Sequence, residues 1–211
     1  MTAVIDRPTF ILASASPARL GLLRSAGLEP EVIVSGIDES IVEARDPATL
    51  CAKLARLKAE AVVAGLSIDR PTLVLGCDSL LEFDGETLGK PVDDADAVDR
   101  WRRMRGRSGT LHTGHCLIDV GSRSRAEGVG STTVHFGQMA DEEIAAYVRT
   151  GEPSRVAGAF TIDGLGGWFV ERIDGDAGNV VGVSLPLLRQ LIGDLGLAVP
   201  QLWPQPLASH S

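Results

Sequence analysis

Apolar and polar positions follow two different periods along this chain, and the changes of period predict its first elements. Apolar runs at 9–14, 31–36 and 72–83 have the length and composition of strands. Apolar residues spaced three and four apart predict helices from Pro17 to Ala26 and from Asp46 to about Ala64. The chain is therefore expected to open as a β-α-β unit.

The rest of the chain continues this mixture of strands and helices. Asp84-Gly85 is a turn sequence that predicts a hairpin into "ETLGKP". Further helices are predicted at about 93–105, 141–151 and 186–195, and antiparallel strands at 110–121 and 128–137, joined by a polar turn at 121–125. The Gly-rich stretch 157–182 is expected to form two short strands and a substrate-facing loop, and the residues from Val199 a frayed tail.

Length and composition limit the class of protein. A chain of 211 residues with 44% hydrophobic and 23% charged residues is long enough for one folding unit, in at most two closely packed lobes. No segment reaches the roughly 18 consecutive apolar residues of a membrane span. "MTAVIDRPTF" also lacks the basic start and apolar stretch of a signal peptide. We therefore expect a cytoplasmic protein that does not associate with membranes.

Charge and cysteine content disfavour several partners. The formal net charge of −8 argues against binding to a nucleic acid polymer or an anionic membrane, because both favour a basic protein face. A small anionic substrate stays compatible with this charge if a few cations gather locally and a divalent metal ion helps. Cys51, Cys77 and Cys116 have the spacing of neither a disulfide framework nor a zinc site.

The stretch "ILASASPARLGLLRSAG", residues 11–27, places hydroxyl groups and an arginine at the start of a helix. The unpaired N–H groups of a helix N-terminus attract anions, and the hydroxyls of Ser14 and Ser16 lie just before them. Arg19, in the first turn, is placed to bind a phosphate chain. The alternatives are that Ser16 only caps its helix and that Arg19 lies on a solvated helix face.

Carboxylates and lysines recur at the ends of other predicted elements. They are Asp38 and Glu39 in "GIDES", Lys58 on a helix, Asp78 after "LVLGC" and Lys90 in "GKP". Such ends meet at one edge of an α/β sheet, where carboxylates can hold Mg²⁺ and cations can neutralise a transferring phosphoryl group. Surface roles are the alternative for the loop charges and lysines, whereas Asp78 follows a buried strand and needs a partner or a metal ion.

Eight strings, in this order along the chain, resemble the Maf family of nucleoside triphosphate pyrophosphatases. They are "LASASPARLGLL", "SGIDES", "LARLKAEA", "GCDSLL", "GKPVDDADA", "YVRTGEP", "AGAFTIDGLGG" and "NVVGVSLPLL". The resemblance extends from Ile11 to about Ile192. Each string alone is a weak signal, and eight in order are a strong one.

The resemblance implies a fold, a reaction and a cofactor. The fold would be α/β and ITPase-like, with a long mixed sheet and two lobes around a central cleft, as one domain over residues 1–200 with a C-terminal tail at 201–211. Family members are usually homodimers. They cleave nucleoside triphosphates between the α and β phosphates with Mg²⁺, or another divalent cation such as Mn²⁺, to give a monophosphate and pyrophosphate. Their proposed roles are removal of noncanonical nucleotides and arrest of cell division.

The family motifs also imply roles for particular residues. The family aspartate that activates water corresponds to Asp78, and the serine, glutamate and two lysines of the cleft correspond to Ser14, Glu39, Lys58 and Lys90. We interpret Glu39 and Asp78 as metal ligands. Lys58 and Lys90 would bind the phosphates during catalysis, together with Arg19.

Three positions depart from the family patterns for base preference. The first arginine of the usual "S-P-R-R" is Ala18, the threonine after the catalytic aspartate is Ser79, and the glutamine of "G-I-Q-G" is Asp163. A carboxylate only accepts hydrogen bonds, whereas an amide also donates them, so base preference should change. The three residues match fully neither the dTTP/UTP pattern nor the 7-methyl-GTP pattern. The preferred base therefore stays open.

A second hypothesis is a nucleotide-binding regulator of cell division in which hydrolysis is weak or incidental. Retention of Asp78, Glu39, Lys58 and Lys90 favours the enzyme, because a sensor has no need of a base that activates water. Loss of the arginine at position 18 favours the regulator slightly.

Overall fold

The computed structural model describes residues 7–67 and 70–204, which form a seven-stranded sheet covered by helices. Its strands are β1 (Thr9–Leu12), β2 (Glu31–Val32), β3 (Thr72–Phe83), β4 (Glu86–Leu88), β5 (Ser108–Asp119), β6 (Ser124–Phe136) and β7 (Val170–Asp174). The order across the sheet is β2-β1-β3-β5-β6-β7, and β4 pairs with β3 at one end. β1 runs parallel to β2 and β3, whereas β3, β5, β6 and β7 pair antiparallel. The expected α/β class with a long mixed sheet is confirmed.

The described residues form six α-helices, of which four connect strands and two follow β7. They are α1 (Pro17–Ser25), α2 (Pro47–Ala64), α3 (Asp94–Met104), α4 (Asp141–Arg149), α5 (Ala177–Val181) and α6 (Leu185–Asp194). The helices begin where the sequence places capping residues: Ser16, Asp46 and Asp93 each accept a hydrogen bond from the backbone N–H three residues later. Among the described residues, no helix is both long and apolar enough to cross a membrane.

The sheet is packed on both faces. Helix α2 covers one face over Val74, Cys116 and Ile118, while α1 and α6 cover the other. A separate cluster around Trp101 of α3 joins α3 and α4 to the far ends of β3, β5 and β6. β3 contributes residues to all three clusters. A residue in its middle lies between the Trp101 cluster at one end and the clusters under α2 and under α1 and α6 at the other.

Three predicted segments differ from the structure. β2 ends at Val32 instead of position 36, because the chain leaves the sheet edge toward a 3-10 turn at Glu39–Ile41. The Gly-rich stretch 157–182 holds one strand, β7, and not two, since Asp176 accepts hydrogen bonds from two backbone N–H groups and starts helix α5 instead.

The C-terminal segment also differs from the frayed tail that was predicted from Val199. Residues Val199–Leu202 form a 3-10 helix, and the Leu202 side chain is buried in the cluster beneath α1 and α6. Burial of a leucine explains why this segment is held. The rest of the predicted tail, from position 205, lies outside the described residues.

Candidate active site

Two glycines allow helix α2 to approach the sheet closely. A Cβ atom on Gly76 of β3 would overlap the carbonyl oxygen of Ala55, and one on Gly114 of β5 would overlap that of Cys51. Neither glycine has a positive φ, so the requirement is for space and not for an unusual backbone. The close packing brings the side chain of Lys58, on the same face of α2, to the surface of the sheet.

The Lys58 ammonium group binds two carboxylates that come from distant parts of the chain. Its Nζ lies 2.6 Å from Asp78 Oδ1 on β3 and 2.8 Å from Glu39 Oε1 on the 3-10 turn before α2. The Lys58 and Asp78 side chains are each 10% exposed, whereas the Glu39 side chain is 52% exposed. Three of the predicted site residues therefore meet at one point, with Glu39 on its solvent side.

Burial and charge act in opposite directions on Asp78. Burial raises the pKa of its carboxyl above the usual range, while Lys58 and, more weakly, Arg19 lower it and Glu39 raises it. A raised pKa makes a carboxylate a stronger base. Two carboxylates and one ammonium also leave this cluster with a net negative charge, which favours a further cation.

Arg19 lies on the opposite face of the sheet from Lys58 and is buried. Its Nε donates to the Gly182 carbonyl at 3.0 Å, and its Nη1 donates to Ser14 Oγ and to the Cys77 carbonyl, both at 3.0 Å. Its Nη2 donates to Ser79 Oγ at 2.9 Å. Four of the five guanidinium N–H donors therefore have protein partners, so at most one is free for a phosphate. A solvated helix face, the alternative for Arg19, is excluded.

The hydroxyl of Ser14 has a proton that is free to donate to a ligand, whereas that of Ser79 does not. Ser14 Oγ accepts hydrogen bonds from the Ser16 N–H and from Arg19, so its own proton is available to a ligand. Thr113 donates its single hydroxyl proton to the Asn179 carbonyl at 2.8 Å. Ser79 must therefore be the donor in its 2.9 Å contact with Thr113, and it has no proton left for a nucleotide.

A buried histidine extends this network toward helix α6. His115 Nε2 accepts the N–H of Ser184, the N-cap of α6, at 2.9 Å, and Nδ1 lies 3.0 Å from the Thr113 carbonyl, to which it donates. Burial is the main cause that lowers the pKa of His115 to about 4, although the bond to Thr113 raises it. The imidazole is therefore neutral at pH 7 and serves as a structural link.

Four other predicted residues contribute no side chain to the Lys58 cluster. Ser16 caps α1, accepting the Arg19 N–H at 3.4 Å, and Ala18 is half-buried on the same helix. Lys90 and Asp163 are exposed, and neither forms an ion pair within the part of the chain that the structure describes. The structure therefore gives contacts for Lys58, Asp78, Glu39 and Ser14. The binding roles of Ser16, Ala18, Lys90 and Asp163 stay predictions.

Glu39 and Asp78 are the side chains that could hold a hard cation in this cluster. Glu39 and Asp78 offer carboxylate oxygens to one point, and residues 7–67 and 70–204 contain no group of three or more His, Cys, Asp or Glu residues that could hold a metal ion. Mg²⁺ is commonly held by one or two carboxylates, with phosphate oxygens and water as its other ligands. Two carboxylates therefore fit Mg²⁺ bound together with a polyphosphate, and do not form a closed protein cage.

The cysteines contribute no reactive group. Cys51, Cys77 and Cys116 are all free and buried, and burial raises the pKa of each thiol to about 12.

The family of this chain follows from its match to a protein-family model. The model of the family described as Maf-like protein matches residues 9–195. The chain belongs to the Maf family. This confirms the resemblance drawn from the eight strings and accounts for their order along nearly the whole chain.

Two curated relatives match over most of their length. A nucleoside triphosphate pyrophosphatase of Salinispora tropica is 61% identical over 202 residues, which cover 95% of this chain and 89% of that protein. One of Streptomyces avermitilis is 56% identical over 197 residues, covering 93% and 95%. Among solved structures, the Staphylococcus aureus Ham1 protein matches with a TM-score of 0.44 and 14% identity, over 92% of this chain and 93% of that one, a likeness too weak to bear on function.

Proposed function

We propose that this Maf protein is a nucleoside triphosphate pyrophosphatase that hydrolyses the bond between the α and β phosphates, giving a nucleoside monophosphate and pyrophosphate. The observation that carries the proposal is the ammonium of Lys58 held between Asp78 and Glu39. This cluster supports the proposal because it combines a buried carboxylate, an ammonium group and a second, half-exposed carboxylate. Relatives that are 56% and 61% identical carry the same activity in their names.

Asp78 is the proposed proton acceptor. Lys58 occupies its Oδ1, and no described residue donates to its Oδ2, so Oδ2 is the oxygen that takes a proton from water. The water oxygen then bonds to a phosphorus of the α-β anhydride, and the bridging oxygen leaves with the other product. The raised pKa of Asp78 suits this role, because a stronger base transfers the proton more readily.

Phosphate binding is assigned to the start of helix α1 and to the lysines. Ser14 retains a free hydroxyl proton, and the N–H groups of a helix N-terminus attract anions. Lys58 neutralises charge on the phosphates next to Asp78, and Lys90 adds a second cation from the turn after β4. Arg19 contributes one N–H at most, and its main effect is to hold Ser14 and the Cys77–Asp78 peptide in position.

Glu39 and Asp78 would hold Mg²⁺, or another divalent ion such as Mn²⁺. When bound, the ion neutralises negative charge on the triphosphate and orients it. The half-exposed Glu39 side chain can reach the ion from the solvent side without unpacking the core.

Base selection is assigned to the positions of Ala18 and Asp163. Asp163 is exposed and only accepts hydrogen bonds, so it favours a base that presents a donor. Ser79 acts indirectly, since its proton is used within the protein. We further propose a cytoplasmic homodimer, as the family resemblance implies.

The function is tested with purified protein, Mg²⁺ and a panel of triphosphates that includes 7-methyl-GTP and 5-methyl-UTP. Pyrophosphate and inorganic phosphate are assayed separately, with EDTA and then Mn²⁺ as metal controls. Pyrophosphate as the first product supports the proposal. Inorganic phosphate as the first product indicates cleavage between β and γ, and binding without turnover favours the nucleotide-binding regulator.

A further inference from the structure

The carboxylate of Glu152 lies inside a loop that carries Asp163. Its Oε1 accepts hydrogen bonds from the hydroxyl groups of Tyr147, at 2.8 Å, and Thr161, at 2.7 Å, and from the N–H of Gly166, at 2.9 Å. These partners lie on both sides of Asp163 in the sequence. We call residues 161–167 the Asp163 loop.

The second carboxylate oxygen of Glu152, Oε2, is also hydrogen-bonded to the loop. Oε2 accepts the N–H of Leu165 at 3.0 Å, so the carboxylate has four protein donors. Two of them are backbone N–H groups, which cannot become acceptors. An amide at position 152 would turn its NH₂ toward the N–H of Leu165 in one orientation and of Gly166 in the other, so only a carboxylate satisfies the loop.

The glycines of "DGLGG" are explained by close packing in and around this loop. A Cβ atom on Gly164 would lie 2.5 Å from Glu152 Oε2, and one on Gly167 would lie 2.9 Å from the Ile162 carbonyl oxygen. The loop is therefore wrapped tightly around the carboxylate. Two strings that are separate in the sequence, "YVRTGEP" and "AGAFTIDGLGG", form one structural unit.

The segment that leads into this loop is attached to the turn that holds Lys90. The N–H of Gly158 donates to the Gly89 carbonyl at 3.0 Å, and Trp101 Nε1 donates to the Ala159 carbonyl at 2.8 Å. The loop is thus fixed at its start by the protein core and at its centre by Glu152. Asp163, between these two attachments and the glycines, remains exposed.

We propose that Glu152 is a positioning residue for nucleotide selection, which holds the Asp163 loop in the one conformation that presents Asp163 to the base. This inference rests on the proposed function, in which Asp163 contacts the base. Glu152 itself contacts neither the phosphates nor the Lys58 cluster, so it acts on the choice of nucleotide more than on the chemical step.

The test compares Glu152→Gln with the wild type on the same nucleotide panel. We expect the ratio of kcat/KM between the best and worst nucleotides to fall about tenfold, through KM more than kcat, as a hydrogen bond to a charged group is lost. Chymotrypsin should also cleave the variant faster after Leu165 or Trp168. In an Asp163→Ala background, Glu152→Gln should change the ranking no further, because the two residues act in series.

Controls separate this role from general damage. Glu142→Gln, on the exposed face of α4, should leave ranking and proteolysis unchanged. If Glu152→Gln does not fold, Tyr147→Phe removes one of the four donors and should give a smaller change in the same direction. Gly164→Ala disturbs the contact from the loop side and should reproduce the Glu152→Gln result.

An unchanged ranking in Glu152→Gln overturns the inference, even where proteolysis becomes faster, because Glu152 would then be structural only. The ranking is also measured as binding affinity for uncleavable triphosphate analogues. If the wild type releases no pyrophosphate, the proposed function fails, while the binding ranking still decides whether Glu152 positions the loop for selection.

Discussion

The two faces of the sheet at β3 differ in how they hold charged groups. On the α2 face, the three ionisable side chains of Lys58, Asp78 and Glu39 share two ion pairs, and Glu39 is half exposed. On the α1 face, one cation, Arg19, is surrounded by neutral oxygens and buried. The partners of Lys58 are two side-chain carboxylates, whereas those of Arg19 are two backbone carbonyls and two serine hydroxyls.

Across strand β3, the proposed base Asp78 faces α2, and Arg19, which holds the strand in place, lies on the side of α1. Asp78 points toward α2, and its neighbours Cys77 and Ser79 are held through their carbonyl and hydroxyl groups by Arg19 on the other side. Changes to the Lys58 cluster should therefore affect mainly turnover. Changes to Arg19 should affect mainly stability.

Lys58→Met is expected to have the largest effect. Loss of the cation should lower kcat about 10²–10³-fold, as for removal of one charge-stabilising donor. The pKa of Asp78 should also rise further, because Lys58 lowers it in the wild type, so the acid limb of the pH-rate profile should move to higher pH. The measurement is kcat against pH, with Lys53→Met on the same helix as control. An unshifted acid limb would contradict the pairing.

Gly76→Ala tests the close approach of α2. The added methyl group overlaps the Ala55 carbonyl, so the helix and Lys58 must move away from Asp78. We expect a loss of about 1–3 kcal/mol in unfolding free energy, the usual cost of overpacking, together with a fall in kcat. Urea denaturation and initial rates measure these two effects.

The matched control is Gly21→Ala in helix α1, where an added Cβ meets no atom within 4 Å. That variant should gain about 0.5–1 kcal/mol, because alanine is the better helix former. Equal results for the two alanine variants would show that the space at position 76 is not needed.

Arg19→Lys tests whether the buried arginine mainly stabilises the fold. An ammonium group cannot reproduce the planar arrangement of donors that reaches Ser14, Ser79 and the Gly182 carbonyl. We expect a loss of about 2–3 kcal/mol in unfolding free energy, since buried acceptors lose a charged donor. The fall in kcat should be smaller than in Lys58→Met. Arg24→Lys, exposed on the same helix, is the control, and a kcat loss as large as in Lys58→Met would contradict the division between faces.

His115 predicts the smallest effect on activity and a defined effect of pH on stability. Its folded pKa of about 4 lies below the unfolded value, so the unfolded chain binds a proton first as pH falls from about 6.5. His115 should therefore lower the free energy of unfolding by about 2 kcal/mol between pH 7 and pH 5, at about 1.4 kcal/mol per pH unit below 6.5. Urea unfolding at both pH values should show a smaller difference in His115→Gln. Identical differences would contradict a neutral, buried imidazole.

Local signals in the sequence predicted much of the fold and part of the site. The helix starts were predictable because Ser16 and Asp46 cap their helices through neighbouring residues. Asp78 was identified because a carboxylate after an apolar run needs a partner. That partner, Lys58, belongs to a helix whose distance from the sheet is set by glycines, and a glycine inside a strand is the one sequence signal for that approach.

The remaining features depend on contacts between distant segments. The burial of Arg19 could not be separated from exposure in the sequence, because its acceptors lie at positions 14, 77, 79 and 182. Glu152 lies in the string "YVRTGEP", but a single acidic residue before a proline indicates no role of its own. Its importance appears only where four donors converge on it.

Product analysis of the wild type and Asp78→Asn side by side, with Mg²⁺ and one cleavable triphosphate, decides whether Asp78 acts as the base of an α-β pyrophosphatase. We expect equal amounts of monophosphate and pyrophosphate from the wild type. We also expect a rate at least about 10²-fold lower in a folded Asp78→Asn, because a general base is lost. An unchanged rate in Asp78→Asn would contradict this role, as would inorganic phosphate as the first product of the wild type.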